Sequence, residues 1–141
     1  MKAKDKQNLI SEAKKIFKKY PIIKLVYFFG SQAKGDEGPM SDYDFAVFVD
    51  ERDSKKLFDL KLELLNKLGQ LVGEGKIDVV ILNNVKSPEL KYNIIKDGQL
   101  IYEEEPFRVL VEPKILREYF DFHSMLLRYN LTKSLWLILI F

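Results

Sequence analysis

A run of eight residues, Ile22 to Phe29, constrains the fold of this chain more than any other feature of its sequence. All but Lys24 are apolar, and β-branched and aromatic side chains dominate, which is typical of a buried strand. Gly30 ends the run and opens a loop to Ser41 that holds three glycines and a proline. Tyr43 to Val49 follows as a second predicted strand, so the loop joins two strands.

Helical periodicity alternates with the strands. The first helix is expected over Asp5 to Tyr20, ended by Pro21, with its apolar stripe at Leu9, Ala13, Ile16 and Tyr20. A second begins at a cap on Asp53 or Ser54 and ends near Gly73, with leucines at 57, 60, 64, 68 and 71. A third is capped by Ser87, has Pro88 at its first position and is closed by Gly98.

The C-terminal helix is placed at about 114–131, because Pro113 would break or kink a helix begun at Phe107. Its stripe is Ile115, Tyr119, Phe122, Leu126 and Tyr129. Two more strands are predicted at Ile77 to Leu82 and Gln99 to Tyr102. The order α-β-β-α-β-α-β-α predicts an α/β (α+β-like) domain, a small mixed β-sheet flanked by helices.

The length of 141 residues fits a single domain, placed at 1–131, followed by an apolar tail at 132–141. The chain has no cysteine and one histidine, His123. Disulfides, thiolate catalysis and cysteine-bound zinc are therefore excluded, and a histidine triad would depend on His123 alone. The net charge of +2 does not suggest a nucleic-acid partner. Carboxylate, hydroxyl and lysine chemistry remain.

No segment approaches the roughly 20 apolar residues that a membrane-spanning helix needs, and Met1 to Gln7 does not begin a signal peptide. A cytoplasmic protein without a membrane partner is expected. The apolar run Leu135 to Phe141 is too short to span a bilayer. It could pack on its own domain, form a dimer contact or dock a partner, so a homo-oligomer stays open.

The candidate chemistry lies around the loop after the first strand. Gly30 allows close approach of a ligand or a positive φ, and Ser31 offers a hydroxyl and an N–H that could bind phosphate or simply cap a helical turn. Asp42 and Asp44 lie at i and i+2, so both side chains project from one face of a strand. Two adjacent carboxylates repel each other unless a cation lies between them, and Mg²⁺ is the cation that best suits such oxygens and substrate phosphates.

Asp78 is the candidate third carboxylate, because it lies in an otherwise apolar strand where an unpaired aspartate would be costly. Three aspartates on neighbouring strands could hold two metal ions about 4 Å apart. The alternatives are that Asp42 and Asp44 are turn acids and that Asp78 only caps a neighbour. Tyr43 should point to the opposite face, into the core, and His123 is expected to be structural.

These residues form the pattern G-S-x-x-x-G-x5-S-D-x-D with a later strand aspartate, which resembles the polymerase-β-type nucleotidyltransferase superfamily. The resemblance covers about Ile22 to Tyr102, and the short chain is similar to the minimal nucleotidyltransferases, the MNT proteins. The segment Leu116 to Phe122 resembles the C-terminal helix of MntA-like antitoxins, which pair with HEPN-domain ribonuclease toxins.

The resemblance implies that Gly30 and Ser31 bind the nucleotide and that Asp42, Asp44 and Asp78 are catalytic and ligate Mg²⁺, with Asp78 as third ligand and possible base. It implies transfer of AMP from ATP to a hydroxyl, a tyrosine of a HEPN-type toxin, by an antitoxin. Two alternatives remain: a nucleotidyltransferase that modifies a small-molecule hydroxyl, and a non-catalytic module that neutralises a toxin by occlusion.

Overall fold

A computed structural model of the chain describes residues 3–30, 43–73 and 75–129. Helices and strands alternate along these ranges in the predicted order. The elements are α1 (Ala3–Lys18), β1 (Ile23–Phe29), β2 (Tyr43–Val49), α2 (Ser54–Val72), β3 (Ile77–Ile81), a 3₁₀ turn (Leu82–Asn84), α3 (Pro88–Asp97), β4 (Gln99–Glu103) and α4 (Phe107–Arg128).

The four described strands form one mixed sheet in the order β3-β2-β1-β4. β1 pairs antiparallel with β2 and with β4, whereas β2 pairs parallel with β3. A parallel pair needs a crossover connection, and α2 provides it. The predicted small mixed sheet flanked by helices is therefore confirmed.

One face of the sheet packs on α1 and α2 and forms the larger core. The leucines of α2 at positions 57, 60, 64 and 68 are buried there, together with Phe17 and Phe45, whose ring centroids lie 5.7 Å apart. The buried stripe of α1 is Leu9, Ile10, Ala13 and Phe17. It is therefore rotated from the expected stripe, because Ile16 and Tyr20 lie at the margin of the core.

The opposite face of the sheet packs on α3 and α4 and forms a smaller core. Its buried members are Leu25, Tyr27, Ala46, Leu82, Ile94 and Ile115. Gly98, which follows α3, packs so closely on Phe29 and on the end of its own helix that no Cβ would fit without movement. This close packing brings the C-terminal end of α3 to the end of β1.

The predicted caps are confirmed where local sequence sets them. Asp53 caps α2 by accepting a hydrogen bond from the Lys55 amide, and Ser87 caps α3 by accepting one from the Leu90 amide, 3.2 Å away. The predicted stripes were wrong at their last members, since Leu71 and Tyr129 are exposed.

The predicted start of the C-terminal helix was wrong. α4 begins at Phe107 and contains Pro113 in its interior. Phe107 and Val111 pack on the smaller core, and the rings of Phe107 and Phe48 lie 6.2 Å apart, so packing holds the first turns in place. The carbonyl that Pro113 leaves without a helical partner belongs to Val109, a solvent-facing residue whose carbonyl can be hydrated.

None of the helices within the described ranges is long and apolar enough to cross a membrane. The loop residues Ser31 to Asp42 and the apolar tail at 132–141 lie outside the described residues, so the expectations for them stay predictions.

Candidate active site

The candidate residues that the structure describes meet at one end of the sheet. β1 ends at Phe29, directly before Gly30, and Phe29 is the register partner of Asp44 on β2. Asp44 is in turn the register partner of Asp78 on β3. Three segments that are distant in sequence therefore bring Gly30, Asp44 and Asp78 together.

Gly30 lies directly against the side chain of Asp44. Its φ is +85°, a region that favours glycine, and a Cβ built at position 30 would overlap Oδ2 of Asp44. The absence of a side chain at position 30 therefore leaves space for the Asp44 carboxylate. The predicted positive φ at Gly30 is confirmed, and the close approach that the structure describes is to Asp44; close approach of a ligand stays a prediction.

Asp44 and Asp78 project from the same face of the sheet, because register partners on neighbouring strands point to the same side. It is the face that carries Ala46 and Phe48, which pack with α3 and α4. Tyr43 points to the other face and is buried in the larger core, as predicted. The two carboxylates thus lie beside each other at the end of the sheet, on the face opposite to Tyr43.

The expectation that Asp78 is itself buried within its strand was wrong, although its apolar neighbours are buried as expected. Ile77 and Val79 are buried, but Asp78 itself is exposed and Asp44 is half-buried. β3 is an edge strand of the described sheet, and alternate residues of a strand point to opposite faces. Asp78 therefore needs no buried partner, and it is open to a ligand approaching from solvent.

The donor set fits a hard divalent cation. Two carboxylates on register partners lie on one accessible face, and Gly30 leaves room beside one of them. Ser31 and Asp42, the other candidates, lie outside the described residues. Within the part of the chain that the structure describes, no group of three or more acidic, histidine or cysteine side chains could hold a metal ion.

The sequence model of the family "Polymerase beta, Nucleotidyltransferase" matches residues 11–107, which run from α1 to the first residue of α4. The chain belongs to this nucleotidyltransferase family. The match includes the loop after β1 and all four strands, and so every candidate site residue.

Two relatives are similar to this chain over about 100 residues each. The protein adenylyltransferase MntA of Aphanizomenon flos-aquae is 31% identical over 100 residues, which are 64% of this chain and 63% of that protein. The chain thus spans less than two thirds of the length of that relative. A proposed protein adenylyltransferase of Methanocaldococcus jannaschii is 34% identical over 97 residues, which are 68% of this chain and 92% of that protein.

Solved structures share the nucleotidyltransferase fold. A chain of a toxin–antitoxin crystal structure with AMP-PNP superposes with a TM-score of 0.67 at 22% identity, covering 88% of this chain and 94% of that one. A chain from the complex of a tri-AMPylated Shewanella oneidensis HEPN toxin with MNT antitoxin gives a TM-score of 0.66 at 21% identity, with the same coverage.

The structure also contains a partly buried polar contact that the sequence motifs do not reveal. The hydroxyl of Tyr27, in the middle of β1, donates a 2.5 Å hydrogen bond to Glu112 of α4, which also pairs with Arg108 at 3.2 Å. Burial, and secondly the hydrogen bond to Glu112, raise the pKa of Tyr27 far above its usual value. A buried tyrosine hydroxyl usually has a hydrogen-bond partner. The position of Tyr27 within a predicted buried strand was therefore the sequence feature that could have indicated such a contact.

His123 makes no described contact with Gly30, Asp44 or Asp78. It is exposed on α4 and stacks on Tyr119, with 6.0 Å between ring centroids. Tyr119 stacks in turn on Tyr92 of α3 at 3.8 Å. The aromatic stack joins α3 to α4, and His123 forms part of it, which agrees with the expected structural role of this histidine.

Proposed function

We propose that the chain is a Mg²⁺-dependent nucleotidyltransferase that transfers AMP from ATP to a tyrosine of a HEPN-type toxin, and that it acts as the antitoxin. The observation that carries the proposal is the pairing of Asp44 with Asp78 beside Gly30. It creates an anionic end of the sheet next to the loop that holds Ser31 and Asp42.

In this proposal Gly30 and Ser31 hold the triphosphate, and Asp42, Asp44 and Asp78 hold Mg²⁺. Bound Mg²⁺ would neutralise phosphate charge and lower the pKa of the attacking hydroxyl. The half-buried position of Asp44 favours a fixed carboxylate, because Gly30 and the sheet limit its movement. Such positioning and charge neutralisation are the main sources of rate in phosphoryl transfer.

The hydroxyl oxygen of the acceptor would form a bond to the α-phosphorus of ATP. The bond from that phosphorus to the oxygen bridging to the β-phosphate would break, and pyrophosphate would leave with the electron pair. Asp78 is the proposed acceptor of the hydroxyl proton. Its exposure on an edge strand supports this role, because a side chain of another protein can reach it from solvent.

The identity of the acceptor is supported by the relatives rather than by the geometry. MntA of Aphanizomenon flos-aquae is a protein adenylyltransferase, and similar folds occur in complexes of MNT antitoxin with HEPN toxin. An accessible carboxylate pair agrees with a protein acceptor. The cognate toxin would be a small helical protein encoded beside this chain, with an R-x4-6-H motif.

The test is transfer of label from α-labelled ATP to that partner in the presence of Mg²⁺. Wild-type chain should label the partner on tyrosine, and EDTA should abolish labelling. Asp42→Asn combined with Asp44→Asn should also abolish it, whereas Asp59→Asn, on an exposed position of α2, should not. Equal labelling by the double variant would refute the mechanism. A wild-type chain that blocks the toxin without labelling it would show occlusion instead.

A further inference from the structure

Lys76 lies at the same end of the sheet as the paired aspartates. Its carbonyl accepts a 2.8 Å hydrogen bond from the Tyr43 amide, and its amide donates to the Gly73 carbonyl at 3.4 Å. Ile77, the next residue, is the register partner of Tyr43, so the pairing of β2 with β3 extends back to residue 76. The backbone of Lys76 is therefore held in place directly before β3.

The side chain of Lys76 starts on the face of the sheet that carries Asp44 and Asp78. Ile77 is buried in the larger core, on the opposite face. Since successive side chains of an extended segment alternate between faces, residues 76 and 78 point away from that core. Both Lys76 and Asp78 are exposed, which agrees with this direction. A spacing of two residues along a strand places their Cα atoms about 7 Å apart.

The ammonium group of Lys76 is not neutralised by a neighbour. None of the ion pairs that join described residues involves Lys76. Two other lysines contact aromatic rings instead of the site: Lys6 lies over the ring of Phe28, which belongs to the larger core. Lys96 lies over the ring of Tyr92 on α3. Lys76 is thus a described lysine that its strand position relates directly to the carboxylate pair.

The charges of the proposed reaction favour a cationic side chain at this position. The triphosphate of ATP would lie beside the carboxylates of Asp44 and Asp78, and negative charges so close to each other repel. Bound Mg²⁺ would offset only part of that charge. A lysine ammonium is a compact charge with three N–H donors, which suits a phosphate oxygen.

The order of the strands indicates which phosphate Lys76 would meet. Gly30 follows β1, Asp44 lies on β2 between β1 and β3, and Asp78 lies on β3. In the proposed function Gly30 holds the triphosphate and Asp78 receives the proton of the attacking hydroxyl. The phosphate under attack would therefore lie on the β3 side of the site, which is the side of Lys76.

We propose that Lys76 binds an oxygen of the α-phosphate of the nucleotide and neutralises charge there during transfer. This inference rests on the proposed function and adds a phosphate-binding residue to it. The bonds that form and break are those of the transfer reaction given above. Lys76 keeps its protons throughout and forms no covalent bond.

Equilibrium binding in the presence of Mg²⁺ tests the contact without turnover. Lys76→Met should weaken the binding of AMP, which carries only the α-phosphate, about tenfold and should leave the binding of adenosine unchanged. Lys76→Arg should bind AMP within about threefold of wild type, because it keeps the charge and the N–H donors. Lys86→Met, at an exposed position between the 3₁₀ turn and α3, makes the same change in net charge and should have no effect.

The binding results can contradict the proposal in two ways. An equal loss of AMP affinity in Lys76→Met and Lys86→Met would show a general effect of charge, and an equal loss for AMP and adenosine would show a structural effect. Either result would overturn the proposal, as would unchanged AMP binding in Lys76→Met. A wild-type chain that binds no AMP-PNP would refute the proposed function as well.

Sulfur substitution tests the same contact during transfer. A sulfur at a non-bridging α-oxygen of ATP accepts hydrogen bonds from an ammonium group poorly. For the ATPαS isomer that Cd²⁺ does not rescue, the ratio of the rates with ATP and ATPαS should be about threefold lower in Lys76→Met than in wild type. Labelling by wild type tests the proposed function, whereas this ratio tests Lys76. An unchanged ratio, or a defect confined to the KM for the protein acceptor, would reject the α-phosphate contact.

Discussion

Asp44 and Asp78 stand directly opposite each other on the parallel strands β2 and β3, and Gly30 packs against the first of them. Their like charges are adjacent on one face, which disfavours the empty sheet and favours a bound cation. The pair should therefore link stability to metal binding, and its two members differ in exposure, since Asp44 is half-buried and Asp78 is exposed.

Replacing either aspartate should separate catalysis from stability. Asp44→Asn and Asp78→Asn should each lower the rate of AMP transfer by about 100-fold or more, because charge stabilisation at the phosphates is lost. Without Mg²⁺, Asp78→Asn should raise the free energy of unfolding by about 0.5 kcal/mol, since a repulsive pair is removed. Single-turnover labelling and urea denaturation measure the two effects. A normal rate for Asp44→Asn would exclude it from the reaction.

Gly30→Ala should be more damaging than the same change at another glycine with positive φ. Gly30 and Gly75 have φ of +85° and +81°, but only at Gly30 would a Cβ overlap a neighbour, Asp44. Gly75→Ala should cost about 1–2 kcal/mol of backbone strain. Gly30→Ala should cost more and should also displace Asp44, so that AMP transfer falls. Equal stability and activity in the two variants would contradict the close contact.

Removal of the Tyr27 hydroxyl should weaken the attachment of α4 to the sheet. Tyr27→Phe leaves Glu112 without its short hydrogen bond, and should lower the free energy of unfolding by about 1–3 kcal/mol at pH 7. Urea denaturation measures the change. Tyr102→Phe on β4 is the control, and an equal loss there would show that the effect is not specific to the Glu112 contact.

The same tyrosine should give the protein an alkaline stability limit. The pKa of Tyr27 is raised in the folded state above its usual value of 10.0, chiefly by burial. Its contribution to stability is therefore complete below pH 10 and is lost as the pH rises above that value. Between pH 10 and pH 11, wild-type chain should lose stability more steeply than Tyr27→Phe. Parallel pH profiles of the two proteins would rule out this linkage.

Pro113→Ala should stabilise α4. The alanine restores an N–H that can donate to the Val109 carbonyl and removes the clash of the proline ring, for a gain of about 1–3 kcal/mol. Thermal and urea unfolding measure the gain, with Lys114→Ala at the neighbouring exposed position as the control. A loss of stability in Pro113→Ala would mean that the proline ring makes a packing contribution larger than its cost to the helix.

Sequence patterns over a few neighbouring residues correctly predicted one strand and two helix caps. The strand Tyr43–Val49 and the caps at Asp53 and Ser87 match the structure, because strand periodicity and capping depend on neighbouring residues. The start of α4 did not follow from the sequence around Pro113. Contacts of Phe107 with Phe48, which is distant in the chain, outweigh the local preference.

The candidate residues of the site follow from the sequence, whereas the arrangement of those that the structure describes does not. Strand periodicity is sufficient to place Asp42 and Asp44 on one face, but it does not specify which residue lies opposite Asp44. The parallel register with Asp78 is a tertiary property, as is the exposure of Asp78 on an edge strand. The contact between Tyr27 and Glu112 joins residues 85 positions apart, so no local pattern could reveal it.

The parallel register of β2 and β3 has a consequence for molecules that fold incorrectly. A slip of one residue would turn Asp78 into the core beneath α2 and bring Ile77 or Val79 opposite Asp44. Such a molecule would lose one carboxylate from the site altogether. Misfolded copies should therefore be inactive rather than weakly active, and the catalytic rate of a preparation should report the fraction of chains with correctly paired strands.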